Sequence, residues 1–151
     1  DYRIDTPAEL AKAFYVKQDM GLGGGMLVTN PIPEEYSMDH EVINKAIDEA
    51  IAEAKEQGIN AVSGKCTMFG NARTVIEDPG RCFMKLVADR DTGRLIGAQL
   101  MCQHASDMIS QLSTAMVNRL TVEQLLTVMR PHPSFEEALG EAVENLASKL
   151  A

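Results

Sequence analysis

The first part of the chain alternates helical and extended patterns. Apolar residues spaced three and four apart predict a helix from about Pro7 to Asp19 and a longer helix that ends at Gly58. Between them, the glycine run Gly21–Gly25 breaks the first helix and leads into a short strand at Met26–Val28. Residues 1–58 therefore predict a helix-strand-helix segment.

The second part is richer in strand patterns, with runs of Val, Leu, Ile and Met. Four strands are predicted: Ala61–Lys65, Asn71–Ile76, Cys82–Ala88 and Arg94–Met101. The loop Asp89–Gly93 ends in glycine, as hairpin turns often do. Helices capped at Ser106, Thr121 and Ser134 follow, the last running to about Leu150. The predicted fold is α+β, an antiparallel sheet with helices segregated from it, preceded by the helix-strand-helix segment.

Acidic charge is concentrated in the first part of the chain. Residues 1–58 hold five Lys and Arg against twelve Asp and Glu, whereas residues 59–151 hold nine against ten. This shift coincides with the change from helical to strand patterns. It predicts a boundary near Gly58 between two segments, 1–58 and 59–151.

The overall composition argues against several classes of partner. A net charge of −8 disfavours nucleic acid, whose binding needs a surplus of Lys and Arg on one face. No apolar run approaches the ~20 residues of a membrane-spanning helix, so no membrane partner is expected. The three cysteines are an odd number and lie far apart, which predicts neither a disulfide framework nor a metal site and favours a reducing cytoplasm.

The loop after the first predicted strand contains a candidate binding residue. Asn30 is followed by Pro31, Ile32 and Pro33, and a loop stiffened by prolines presents an amide at little entropic cost. The same residues also fit a strand ended by proline and followed by solvated acidic side chains. Composition alone does not separate these two interpretations.

His132 is a second candidate, because Pro131 and Pro133 hold it rigidly. Glu137 lies five residues later, in the first turn of the last predicted helix, where it can accept a ring N–H and orient the imidazole for acid-base chemistry. Alternatively, Glu137 completes a capping box with Ser134, and His132 is a turn residue.

The run from Gly21 to Glu35, GLGGGMLVTNPIPEE, and the opening residues DYRIDTP resemble the C-terminal region of pseudouridine-5'-phosphate glycosidases. The resemblance covers residues 1–58 and implies that Asn30 contacts the base or ribose of the substrate. Members of that family cleave a C–C glycosidic bond with a Schiff-base lysine and a manganese-binding aspartate, both upstream of the matched region. The resemblance therefore implies a glycosidase fragment that is inactive alone.

Three features of the second segment recur in another family: the hairpin ADRDTGRLIGA at residues 88–98, the helix from Ala105, and the motif HPSFEEA at residues 132–138. They resemble the C-terminal dimerisation domain of flavin-dependent pyridine nucleotide-disulfide oxidoreductases, most of all dihydrolipoamide dehydrogenase. The resemblance extends back to about Ile59, so that it covers residues 59–151.

This resemblance implies a function for the second segment. In that family the motif His and Glu form a dyad that serves the redox disulfide of the opposite subunit, which maps onto His132 and Glu137. Cys102 stands where many relatives have Gly, and Arg130 where many have a first His. The parent enzymes use FAD and NAD, but this chain has no C-x4-C redox motif, so we expect no cofactor in it and no activity alone.

The two resemblances together predict a composite chain, and the second implies that residues 59–151 are a complete folding unit. Its main predicted function is that of a dimerisation domain that forms a homodimer and gives its His-Glu dyad to the partner subunit. The alternative is a pseudouridine-5'-phosphate glycosidase fragment. A join near Gly58 could arise by recombination, assembly or sequence design, and the sequence leaves these origins open.

Overall fold

The computed structural model of the chain describes residues 15–18, 24–29, 48–49, 51–77 and 82–151. Its strands are β1 (Tyr15–Gln18), β2 (Gly24–Thr29), β3 (Ala61–Thr67), β4 (Phe83–Asp89) and β5 (Leu95–Met101). They form one sheet in the order β1-β2-β5-β4-β3. Strand β4 is antiparallel to both of its neighbours, β3 and β5, while β1 is antiparallel to β2, and β2 is parallel to β5.

Helices follow or cross this sheet. Residues 48–49 and 51–56 are helical, and we call residues 51–56 α1. The other helices are a 3-10 turn (Met68–Gly70), α2 (Ala72–Glu77), α3 (Ala105–Val117), α4 (Val122–Leu126) and α5 (Glu136–Leu150). In the described part of the chain, no helix combines the length and apolar character needed to cross a membrane.

The antiparallel hairpin between β4 and β5 forms as predicted. Asp89 organises its turn, because Oδ1 accepts from the Asp91 N–H at 3.1 Å and Oδ2 accepts from the Thr92 hydroxyl at 2.6 Å. Gly93 closes the turn with φ +68, a value that side chains other than glycine rarely adopt.

The sheet contains strands from both predicted segments, which the sequence patterns did not predict. The strand expected at Met26–Val28 is present within β2, and Met26 lies beside Ala98 of β5. Every residue of β5 is buried. Pairing with β4 alone would leave half of the β5 backbone groups without partners, and β2 supplies them from the other side.

The helix predicted from Pro7 to Asp19 is wrong at its C-terminal end, since Tyr15–Gln18 form β1. These four residues pair with β2 in an antiparallel register from Tyr15–Leu27 to Gln18–Gly24. Pairing between strands outweighs a weak local helix preference at this point. The remaining residues of that predicted helix lie outside the described part of the chain.

The strand predicted at Asn71–Ile76 is also wrong, because these residues form the beginning and body of α2. Asn71 starts the helix by accepting the Thr74 N–H at 3.0 Å, which is the bond of an N-cap side chain. Val75 and Ile76 remain 65% and 66% exposed. Their apolar character therefore does not reflect a buried strand face.

Two predicted caps differ in outcome. The Thr121 capping box of α4 is confirmed, with the Gln124 N–H bound to the Thr121 hydroxyl and the Gln124 side chain bound to the Thr121 N–H. The next helix back, α3, starts two residues earlier than a Ser106 cap requires, and His104 occupies its N-cap position with φ 56.

The main core lies between the sheet and helices α3, α4 and α5. It joins alternate residues of β4 and β5 to apolar helix positions, among them Leu86, Leu100, Leu112, Leu139 and Leu146. On the opposite face of the sheet, Val87 and Ile96 pack with Ala54 of α1. Gly58 ends the preceding turn with φ +81, as the predicted helix stop requires.

Candidate functional site

The predicted pair of His132 and Glu137 lies at the N-terminus of α5. The loop before this helix carries His132 between two prolines, and the His132–Pro133 bond is cis. His132 Nδ1 lies 2.8 Å from Glu137 Oε1, while the imidazole side chain is 72% exposed. The structure therefore brings the two residues together at the surface, as one of the two interpretations of this motif expects.

The second oxygen of Glu137 is also bound. Oε2 accepts the Ser134 N–H at 2.9 Å, so the carboxylate closes the loop onto the start of the helix. This is one half of the predicted capping box. The other half is absent, because the Ser134 hydroxyl donates to the Pro131 carbonyl at 2.6 Å instead of accepting a helix N–H.

These bonds favour the charged form of Glu137. The Ser134 N–H is the larger cause and the hydrogen bond from His132 the next, and together they hold the pKa of Glu137 below its usual value of 4.5. For the Glu137 carboxylate to accept a hydrogen bond from His132 Nδ1, that nitrogen must carry a proton. Neutral His132 then carries its lone pair on Nε2, which makes it a candidate proton acceptor.

Asn71 is a site residue that the sequence analysis missed. Its side-chain Nδ2 donates to the Ser134 carbonyl at 2.8 Å, across a separation of 63 residues. The sequence offered one signal, an Asn three residues before Thr74 in an N-cap arrangement, which the strand interpretation overlooked. Its contact with the loop of residues 131–134, which we call the dyad loop, has no local signature in the sequence.

Apolar side chains are exposed in the two chain segments that the Asn71–Ser134 bond joins. We call them the apolar rim: Phe69, Val75, Ile76, Val128 and Met129. Met129 lies three residues before His132 and is 92% exposed. Exposed apolar side chains that form a contiguous patch are typical of surfaces that contact another protein.

Arg130 lies against α5. Its Nη1 donates to the Val128 carbonyl at 3.0 Å, and its guanidinium covers Gly140, where a Cβ atom would lie 3.4 Å from Cδ and Nη1. Desolvation lowers the pKa of Arg130, while Glu136 and Glu144 oppose that change.

Asn30, the other predicted site residue, lies outside the described residues. His104 contacts Asp107 at 3.0 Å on the surface, and its ring lies 5.7 Å from that of Phe135. In the described part of the chain, no group of three or more His, Cys, Asp or Glu could hold a metal ion.

The three cysteines are free and buried. Burial is the main cause that raises the pKa of Cys66 and of Cys102, each to about 12. Burial likewise raises the pKa of Cys82. Thiols with raised pKa values are poor nucleophiles, so these residues belong to the core and not to the site.

A family model described as the pyridine nucleotide-disulphide oxidoreductase dimerisation domain matches residues 50–143, more than half of the chain. The chain belongs to this family. A second model, described as Indigoidine synthase A like protein, matches residues 1–75. The chain is therefore a composite of two family segments, and the two matches overlap over residues 50–75.

Individual relatives divide in the same way. Pseudouridine-5'-phosphate glycosidase of Clostridium botulinum is 61% identical over 59 residues, which are 39% of this chain and 19% of that enzyme. Dihydrolipoyl dehydrogenase of Bacillus subtilis is 38% identical over 93 residues, which are 62% of this chain and 20% of that enzyme. The matched part of the chain thus spans about a fifth of each relative.

Solved structures agree with the α+β fold predicted for the chain. LpdA of Mycobacterium tuberculosis superposes with a TM-score of 0.58 at 26% identity, covering 63% of this chain and 21% of LpdA. RclA of Escherichia coli, an HOCl-induced flavoprotein disulfide reductase, gives a TM-score of 0.55 at 25% identity, covering 64% of this chain and 21% of RclA. The predicted resemblances to both families and the predicted fold class are confirmed.

Proposed function

We propose that residues 59–151 act as the dimerisation domain of a flavin-dependent pyridine nucleotide-disulfide oxidoreductase similar to dihydrolipoamide dehydrogenase. In this proposal His132 and Glu137 serve the redox disulfide of the partner subunit. The observation that carries it is the 2.8 Å contact between His132 Nδ1 and Glu137 Oε1 on an exposed ring. An exposed imidazole fits a group that acts across an interface.

Proton transfer is the chemistry that this chain would contribute. Nε2 of neutral His132 takes the proton of a thiol in the partner's dithiol, leaving a thiolate and an imidazolium. The charged Glu137 stabilises the imidazolium through Nδ1. The same proton returns when the thiolate is protonated again. FAD and NAD would be bound by other domains of the parent enzyme.

The apolar rim is the proposed site of homodimer contact. Its five exposed side chains belong to the two chain segments that the Asn71–Ser134 bond joins, and protein interfaces combine apolar area of this kind with a few specific polar groups. Met129→Lys should raise the dimer dissociation constant about tenfold or more in sedimentation equilibrium, because it buries a charge. Val117→Lys is the matched control, since Val117 is 61% exposed outside the rim. A monomeric wild-type chain at micromolar concentration would contradict the proposal.

Activity is tested by a domain exchange. Residues 59–151 replace the dimerisation domain of the Bacillus subtilis dihydrolipoyl dehydrogenase, and NAD-dependent oxidation of dihydrolipoamide is measured. We expect an active hybrid whose kcat falls about 100-fold or more with His132→Gln, the effect of losing a general base. A dimeric hybrid that has no activity, or that is indifferent to His132→Gln, would refute the assigned role.

The alternative function is that of a pseudouridine-5'-phosphate glycosidase fragment, favoured by the 61% identity to the clostridial enzyme. In that case Asn30 would contact the base or ribose. The family's catalytic lysine and its manganese-binding aspartate lie upstream of the matched region, so no turnover is expected from the chain alone. Incubation with uracil, ribose 5-phosphate and Mn²⁺ tests this expectation, and product formation would contradict it.

We also propose that the two segments meet near Gly58 and that the protein resides in the cytoplasm. Among the described residues, those of the larger core all follow position 59, which supports a second segment with a complete core. Three buried free thiols fit a reducing compartment.

A further inference from the structure

A buried amide outside the predicted site holds the loop that carries His132. Asn71 is 4% exposed, and its side chain has partners on two sides. Oδ1 accepts from the Thr74 N–H and from the Thr74 hydroxyl, each at 3.0 Å, while Nδ2 donates to the Ser134 carbonyl at 2.8 Å. The amide therefore fastens the start of α2 to the dyad loop.

Ser134 is the residue at which these contacts meet. Its carbonyl accepts from Asn71, its N–H donates to Glu137 Oε2, and its hydroxyl donates to the Pro131 carbonyl. Glu137 in turn contacts His132 through its other oxygen. A rotation of the backbone at Ser134 would break bonds on both sides.

The arrangement resists such a rotation. Leaving a buried polar group without a partner is unfavourable, and Asn71 is nearly free of solvent that could replace the Ser134 carbonyl. The exposed imidazole, by contrast, has little packing of its own to hold it. Its orientation depends on Glu137, whose carboxylate is fixed by the Ser134 N–H.

We propose that Asn71 is a positioning residue for the His132–Glu137 pair: its hydrogen bond to the Ser134 carbonyl sets the Ser134 N–H against Glu137 and thereby orients the imidazole. The catalytic use of this orientation rests on the proposed function. The orientation itself is measurable in the chain alone.

Asn71→Ser isolates the bond in question. Serine is a good N-cap, so it keeps an acceptor for the Thr74 N–H, but it is too short to reach the Ser134 carbonyl and adds no charge. The measurements are NMR titration of the Glu137 carboxyl carbon and hydrogen exchange of the Ser134 amide in the full chain. We expect the pKa of Glu137 to move up towards 4.5, and the Ser134 amide to exchange about tenfold faster.

Thr74→Val is the matched control. It removes the hydroxyl bond to Asn71 Oδ1 and leaves the Nδ2 bond to Ser134 in place. If Asn71 acts on the dyad, this variant lowers stability without changing the Glu137 titration or the Ser134 exchange. Equal effects of both variants would mean that Asn71 only stabilises α2, and the proposal would be wrong.

An unchanged Glu137 titration and unchanged Ser134 exchange in folded Asn71→Ser would also overturn it. If that variant fails to fold, Asn71→Asp provides the same exchange measurement, because Asp caps helices well and has no Nδ2 donor. An Asn71→Asp chain with wild-type Ser134 exchange would be an equally decisive negative result. These readouts need no cofactor or partner enzyme, so they remain independent of the domain-exchange experiment.

Discussion

Both oxygens of Glu137 accept a hydrogen bond, and these bonds favour the charged form of the carboxylate. One oxygen receives the Ser134 N–H and the other faces His132 Nδ1. The residue also lies in the first turn of α5, where the helix dipole favours a negative charge. The same carboxylate therefore serves the structure of the loop and the orientation of the imidazole.

The lowered pKa of Glu137 predicts a specific dependence of stability on pH. An unfolded Glu titrates near 4.5 and the folded one below that value, so its stabilising effect is complete above pH 4.5 and is lost as the pH falls through the folded pKa. Urea unfolding from pH 7 to pH 3 should show Glu137→Gln less stable than the wild type at neutral pH, with a difference that shrinks on acidification.

Glu123→Gln is the control for this measurement. Glu123 lies in the first turn of α4, in the same kind of position near a helix N-terminus, and is exposed. We expect it to change stability less than Glu137→Gln does. A loss of stability in Glu137→Gln that stays constant from pH 7 to pH 3 would show that the lowered pKa of Glu137 is not its cause.

Helix α5 approaches β3 closely because of a single glycine. A Cβ atom on Gly64 would lie 2.5 Å from the Leu146 backbone nitrogen and 2.6 Å from its Cα. The same helix covers the free edge of β3, where Asn145 accepts the Lys65 N–H at 3.0 Å and Lys149 donates to the Ser63 carbonyl at 2.8 Å. Covering an edge strand in this way blocks pairing with other chains.

Gly64→Ala should therefore be costly. The backbone of α5 must move to admit the methyl group, and overpacking of this kind costs about 1–3 kcal/mol or more. Gly140→Ala is the comparison, since its Cβ would meet only the flexible Arg130 side chain at 3.4 Å. That change gains about 1 kcal/mol of helix propensity, which offsets the displacement of Arg130. Chemical denaturation should rank Gly64→Ala well below Gly140→Ala, and equal stabilities would contradict the close approach.

The whole molecule combines two packing regions of different size. The larger core lies between the sheet and α3 to α5, whereas the opposite face carries a small cluster in which Ala54 meets Val87 and Ile96. One ion pair also crosses between the predicted segments, from Lys85 Nζ to Asp48 Oδ1 at 2.9 Å. The first segment thus packs on the face of the sheet opposite the larger core.

Deletion of residues 1–58 tests the proposed division. The remaining chain should still unfold cooperatively, because its larger core is intact among the described residues. It should be less stable than the full chain, since β5 loses its β2 partner and Val87 and Ile96 become exposed. Loss of the cooperative transition in circular dichroism would show that residues 59–151 are not a complete folding unit.

Asp48→Asn tests the contact between the segments inside the full chain. The substitution leaves the buried Lys85 ammonium without its negatively charged partner. Because Asp48 is largely exposed, we expect the free energy of unfolding to fall by only about 1 kcal/mol. Combining Asp48→Asn with Lys85→Met should recover part of that loss. A double variant as unstable as the sum of both single changes would argue against a direct interaction.

Several parts of this protein follow from its sequence alone. The β4–β5 turn and the Thr121 capping box depend on residues within three positions of each other, and both are predicted. The contact of His132 with Glu137, five positions apart, is one of two interpretations of that motif. In such features the interacting groups are brought together by a single turn of the chain. Local chemistry is then sufficient to select the structure.

Other parts were decided by the tertiary structure. Residues 15–18 form a strand because they pair with β2, and β2 in turn pairs with β5, which is distant from it in the sequence. Asn71 reached Ser134 across 63 residues, a contact that no local pattern encodes. In these cases a backbone or side-chain group is satisfied by a partner remote in sequence, and the free energy of that pairing outweighs the weak local preference.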